Sequence, residues 1–169
     1  MFAIGEYIVY GINGICRVDA IGPSPYDPGD PRTYYLLVPV NNPMGSTIYT
    51  PVDNDRVPMR ALMTEVDVAA LMNELSQIEP LSVPAEKQRR EIYRTVIATL
   101  RPEGYVQVIK TVRRRRVELS AAHKHVPMTD LDYERLARHL LCDEIARVMG
   151  ETEAEVEAKL TERLSACEA

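Results

Sequence analysis

The sequence predicts an α+β protein: a small five-stranded β-barrel followed by an all-α helical domain. Three observations predict it. Residues 1–62 hold short aromatic and β-branched runs separated by Gly, Asn and Pro clusters, the pattern of a sheet with tight turns. From Thr64 onward apolar residues recur every three or four positions behind helix-cap signals. Charge is also segregated: within a net −5, residues 87–116 carry ten Lys or Arg against only Glu91 and Glu103. The expected boundary falls between residues 62 and 63.

The first pair of strands is Tyr7 to Tyr10 and Ile15 to Ile21, joined through Gly11 and Asn13-Gly14, residues that supply the positive φ angles of a tight reversal. In the second run Cys16, Val18 and Ala20 alternate with Arg17 and Asp19, the mark of a half-buried strand. Gly22 to Pro31 holds four Pro and two Gly and is expected to be a surface loop. Thr33 to Val40 forms a third strand, Asn41 to Gly45 a turn, and Thr47 to Val52 a fourth strand. Arg56 to Arg60 forms a short fifth. So many short strands in so little chain predict a strongly bent barrel of the Tudor or SH3 type.

The run Gly5-Glu6-Tyr7-Ile8-Val9-Tyr10-Gly11-Ile12-Asn13-Gly14-Ile15-Cys16-Arg17-Val18 resembles the opening of the CarD family of bacterial transcription regulators. That opening is shared with the RNA polymerase interaction domain of transcription-repair coupling factor. Tyr34 to Leu37, Ile48 to Pro51 and Val57 to Arg60 fall where the family has matching strands. The resemblance covers residues 1–60 well and is mostly pattern over 61–165. It implies that the barrel binds the RNA polymerase β subunit by extending a sheet through Thr47, Ile48, Tyr49, Thr50, Pro51 and Val52. Pro51 suits an edge strand, because it has no amide to donate. Many CarD proteins also carry a Trp that wedges into the promoter minor groove at the start of the second-domain helices. The matching region here is Ala85 to Arg90, and the chain has no Trp. Tyr93 is the nearest aromatic.

The helices follow in order. Thr64 caps the first, with Val66, Leu71, Leu75 and Ile78 as its apolar side and Pro80 as its stop. Leu81 to Pro84 is a connector and a second possible boundary. Ala85 to Leu100 is a second helix with Ile92, Val96 and Leu100 spaced by four, broken by Arg101 to Gly104. Tyr105 to about Ala122 is a third, with Tyr105, Val108, Ile109, Val112 and Leu119 on one face. Thr129 to Asp132 caps a fourth, which Gly150 ends, and Thr152 with Glu155 makes a capping box for a fifth.

The basic block is the main chemical signal. Two successive helices that share it form a localised anion-binding face, suited to nucleic-acid phosphates rather than to base-specific readout. The expected DNA ligands are Lys87, Arg89, Arg90, Arg94, Arg113 and Arg114. At about 100° per residue, Arg114 points away from the apolar face, Arg113 and Arg115 flank it, and Arg116 falls near its middle. Arg116 is therefore expected to be structural, its guanidinium either snorkelling out or meeting a carboxylate.

No phosphate loop, nucleophile elbow or paired-His zinc motif appears, so no enzymatic activity, cofactor, metal or small-molecule substrate is expected. His123 and His125 flank Lys124 in an expected loop and are solvated there. The cysteines Cys16, Cys142 and Cys167 are widely spaced and make no disulfide framework. Without a signal peptide or a membrane-length apolar run, the expected location is the cytoplasm, in the nucleoid with RNA polymerase. The expected function is a transcription regulator that binds polymerase through residues 1–62, contacts promoter DNA through residues 63–169 and modulates open-complex stability. The alternatives are an RNA- or ribosome-binding small barrel and a protein adaptor without DNA contact.

Overall fold

The computed structural model describes residues 1–168 and divides into two compact units, residues 1–62 and the chain from Met63 onward. The first is an antiparallel sheet of β1 (Tyr7–Tyr10), β2 (Ile15–Pro23), β3 (Thr33–Pro39), β4 (Ile48–Pro51) and β5 (Met59–Ala61), in the order β4-β3-β2-β1-β5. The strand assignments from sequence hold to within a few residues. Barrel closure is not detected: among the described residues no pairing between β4 and β5 joins the ends of the sheet. With four residues in β4 and three in β5, there is little ladder available to close it.

The β1–β2 reversal depends on glycine. Gly11 has φ +50°, its amide donates to the Pro58 carbonyl at 3.0 Å, and a Cβ there would lie 2.8 Å from Val57 Cγ1. Any L-residue is therefore strained and crowded at this position. A register shift between Val18 and Ala20 marks a β-bulge in β2, which ends the simple alternation predicted there. Ile8, Tyr10, Cys16, Val18, Tyr35 and Leu37 form the core of this unit. Burial pushes the Cys16 thiol up to about 11, so it packs as a small inert hydrophobe.

The second unit has five helices: α1 (Glu65–Glu74), α2 (Arg89–Ala98), α3 (Pro102–Ala121), α4 (Met128–Met149) and α5 (Glu153–Cys167). Thr64 and Thr152 close full capping boxes with Asp67 and Glu155, and Gly150 ends α4 in the left-handed region. α1 contributes Val68 and Leu71 to the helical core, and the 3-10 turn after it adds Leu75, whereas Val66 is 78% exposed, contrary to the predicted apolar side. The stretch Leu81 to Pro84 is no boundary either. Leu81 donates its amide to Thr111 Oγ1 at 2.8 Å, and Lys110 Nζ donates to the carbonyls of Leu75 and Ile78. α3 thus holds the chain that leaves α1.

Leu100 is buried as expected, but within α2 the fully buried positions are Tyr93 and Ile97 rather than Ile92 and Val96, of which Val96 only flanks the core. At those two positions the expected stripe is one residue out of phase, because the Tyr93 phenol has polar partners inside and can be buried whole. Leu100 then takes φ +58°, where glycine is usual, while its side chain is fully buried. Burying a leucine is worth roughly 1.5–3 kcal/mol, more than the roughly 1–2 kcal/mol that left-handed backbone costs. Among the described residues no helix is long and apolar enough to cross a membrane.

Candidate functional site

Two regions carry the chemistry, one in each unit. In the sheet it is the outer edge of β4. The Val52 amide donates to the Thr33 carbonyl at 2.9 Å, and the register pairs Thr50 with Tyr35 and Tyr49 with Leu36. Antiparallel pairs alternate between hydrogen-bonded and non-hydrogen-bonded. Ile48, Thr50 and Val52 therefore turn their amides toward β3, while the backbone of Tyr49 and Pro51 faces outward. Proline has no amide, so Tyr49 supplies the one outward donor of β4. The carbonyls of Tyr49 and Pro51 are the outward acceptors.

The side chains follow from this placement. Thr50 is buried, and Ile48 and Val52 pack against the sheet core. Thr47 is exposed just before the strand. The Tyr49 ring meets that of Tyr26 edge-on, with centroids 5.3 Å apart and planes at 84°. Tyr26 lies in the proline-rich loop and is 80% exposed. Sequence reasoning missed it, because nothing in a Pro-rich loop tells which strand the loop folds beside.

In the helical unit, the basic block is largely neutralised from within. Asp130 on α4 is fully buried and accepts from the Tyr93 hydroxyl at 2.7 Å. Arg89 donates to Tyr93 Oη at 2.9 Å and to Glu86 at 3.2 Å. Arg115 donates to Glu86 at 2.8 Å, and its Nε lies 3.2 Å from Asp130 Oδ2 in an ion pair without hydrogen-bond alignment. The ring Glu86–Arg89–Tyr93–Asp130–Arg115 ties α2, α3 and α4 together. Burial and the bond to Asp130 push the Tyr93 phenol up to about 12, so it stays neutral and donates.

A second set links α3, α4 and α5. Arg116 donates to the buried Glu134 at 2.6 Å, and Arg138 bridges Glu134 to Glu157 at 3.4 and 2.7 Å. Arg113 forms a two-pronged pair with Glu168. Of the expected ligands, Lys87, Arg90, Arg94 and Arg114 are open to solvent; Arg101 and Arg116 of the same block are exposed too, beside Glu103 and Glu134. Lys87 and Arg90 have no ion-pair partner among the described residues. Arg94 has only the exposed Glu91, and Arg114 donates to the Leu81 carbonyl with Glu118 3.9 Å away. Arg90 and Arg94 are spaced to share one side of α2, and Lys87 lies in the short 3-10 turn just before it.

The family described as CarD-like/TRCF RID domain matches residues 2–63, the stretch that folds as the five-stranded sheet. This sheet is a CarD-like/TRCF RID domain. Such a domain is a module of RNA polymerase interaction, and it accounts for little more than a third of the chain. None of the curated proteins compared with the chain matches it.

Outside the RID domain, each expected DNA ligand now has a place. Lys87, Arg90, Arg94 and Arg114 are exposed, whereas the side chains of Arg89 and Arg113 are only 12% and 17% exposed and engaged in internal pairs. Tyr93 has no exposed surface, so no aromatic of α2 reaches outward from that position. Arg116 meets the Glu134 carboxylate while its side chain stays half-exposed, and Arg115 is the more buried of the two. The reason is that α3 outruns the core beyond Val112, leaving Val117 exposed. Among the described residues no His, Cys, Asp or Glu cluster could hold a metal ion.

A stability comparison checks the Arg116 pair. Arg116→Ala leaves Glu134 with Arg138 alone and is expected to cost about 1 kcal/mol. Arg114→Ala is expected to stay within about 0.5 kcal/mol of the parent, as surface changes do. Thermal melts of the two variants measure both. Equal melting temperatures would contradict the assignment.

Proposed function

We infer that this chain is a non-enzymatic transcription regulator that docks on the β subunit of RNA polymerase through β4. Its helical unit contacts promoter DNA through phosphates and modulates the stability of the open complex. The match of residues 2–63 to a polymerase-interaction family carries this conclusion, and the open β4 edge supplies the means. A partner strand laid along β4 pairs with the amide and carbonyl of Tyr49, adding main-chain bonds of the β-augmentation type.

DNA contact is supported by Lys87, Arg90, Arg94 and Arg114, the expected ligands that are exposed. Phosphate contacts give affinity without base readout, and each lowers log K with log salt by about 0.9 on duplex DNA. Four such contacts correspond to a slope of roughly −3 to −4. Melting DNA by insertion needs a large apolar group between base steps, and the buried Tyr93 cannot supply one. We therefore expect weak, salt-sensitive and nearly sequence-independent binding, with at most modest stabilisation of open promoter complexes.

Affinity for duplex and forked promoter DNA across a salt series tests this. The expected result is equal, steeply salt-dependent binding to both. A fork preference that survives high salt would show that an insertion group exists. Absence of binding at low salt would favour the adaptor function, in which the helical unit binds protein alone.

A further inference from the structure

The pair between Arg113 and Glu168 has an unusual setting. Arg113 lies on α3, and its Nε and Nη2 each donate to one oxygen of the Glu168 carboxylate at 2.9 Å. Nη2 also reaches Ser165 Oγ at 3.3 Å. This two-pronged geometry is the one a guanidinium offers to a phosphate. Beside it lies a cleft of about 470 Å³ lined by Lys110, Arg113 and Arg114 and by the carboxylates of Glu79, Glu118 and Glu168. Lys110 is buried and committed to the carbonyls of Leu75 and Ile78, so the cations at the cleft with solvent-reachable forks are Arg113, held by Glu168, and Arg114, beside Glu118.

Glu168 caps the C-terminal end of α5, where the helix dipole disfavours negative charge. The Arg113 guanidinium is the main influence that lowers its carboxyl below the usual range, and Lys110 adds to it. The side chain of Glu168 is 47% exposed. A half-exposed ion pair is weak and screened by salt, so this one can be exchanged for another anion at little cost. The ion pairs of Asp130 and Glu134 differ, since those carboxylates are buried.

We propose that Glu168 is an acidic latch that occupies the guanidinium fork of Arg113 and yields it to a nucleic-acid phosphate. The proposal rests on the DNA-contacting function inferred above and adds a control to it. With the latch closed, Arg113 contributes nothing to DNA affinity. With Glu168 displaced, Arg113 joins Arg114 at the mouth of the cleft and adds one phosphate contact.

The test is duplex affinity across a salt series for the full chain, Glu168→Gln, Arg113→Gln and the double variant. Glu168→Gln is expected to bind about fivefold tighter at low salt, with a log–log slope steeper by about 0.9. On the Arg113→Gln background the same substitution is expected to bring no gain. Arg113→Lys, which keeps the charge but not the fork, serves as a second background and should recover only part of it. A gain that persists without Arg113 would be a general charge effect and would overturn the latch. Binding by the parent chain that Glu168→Gln leaves unchanged rejects the latch alone. No binding by either protein rejects both the latch and the DNA contact.

Discussion

Asp130→Ala is expected to lower the stability of the helical unit by about 3–5 kcal/mol, the usual cost of breaking a buried ion pair from one side. Asp130 is fully buried, and its partners come from two other helices: the Tyr93 hydroxyl at 2.7 Å, Arg115 at 3.2 Å and Arg89 at 3.7 Å. Removing the carboxylate leaves two guanidinium groups of low exposure and a buried phenol without its acceptor. Asp132→Ala is the control. That carboxylate is exposed and pairs only with Arg135, so the change should stay within about 0.5 kcal/mol. Chemical denaturation of the two variants gives both numbers. The loss should appear in the transition of the helical unit and leave that of residues 1–62 in place, because the two units have separate cores. An Asp130→Ala protein as stable as the parent would show that the ring is not what joins these helices.

The second large effect is on docking. Tyr49→Pro removes the one outward amide of β4 without touching an amide that β3 uses, since the bonds to β3 come from Ile48, Thr50 and Val52. Proline is tolerated at such edge positions. The RID domain should therefore remain folded while its affinity for polymerase falls at least tenfold. Tyr49→Ala keeps the amide and removes the ring that meets Tyr26. Its smaller loss measures the aromatic contribution apart from the backbone one. If Ala and Pro weaken binding equally, the ring rather than the strand edge carries the contact.

Much of the fold was legible because it is written in local signals. The Gly11 to Gly14 reversal, the Thr64 and Thr152 capping boxes and Gly150 are each set by a few neighbouring residues. The phase of α2 was not legible, because Ile92/Val96 and Tyr93/Ile97 are both apolar pairs at the same spacing. Only the partners of the Tyr93 hydroxyl decide between them. The candidate DNA face was legible as charge but not as surface. Asp130, Glu134, Ala137, Leu141 and Glu144 follow a four-three-four-three spacing and are all buried. Acids within an apolar stripe imply cations facing them, and the Arg113 to Arg116 run supplies cations to two of them. That signal stood in the sequence, but it needed α3 and α4 to be recognised as packed neighbours. Glu86 and Glu168 carried no such periodic mark. They lie beside the arginines only through tertiary folding.

The most direct test of the central claim is the affinity of purified RNA polymerase β subunit for the full chain, its Tyr49→Pro variant and residues 1–62 alone. The account predicts that residues 1–62 bind as tightly as the full chain and that Tyr49→Pro loses at least tenfold while keeping the parent circular dichroism spectrum. Binding by the full chain that residues 1–62 do not reproduce, or that Tyr49→Pro leaves intact, would contradict it.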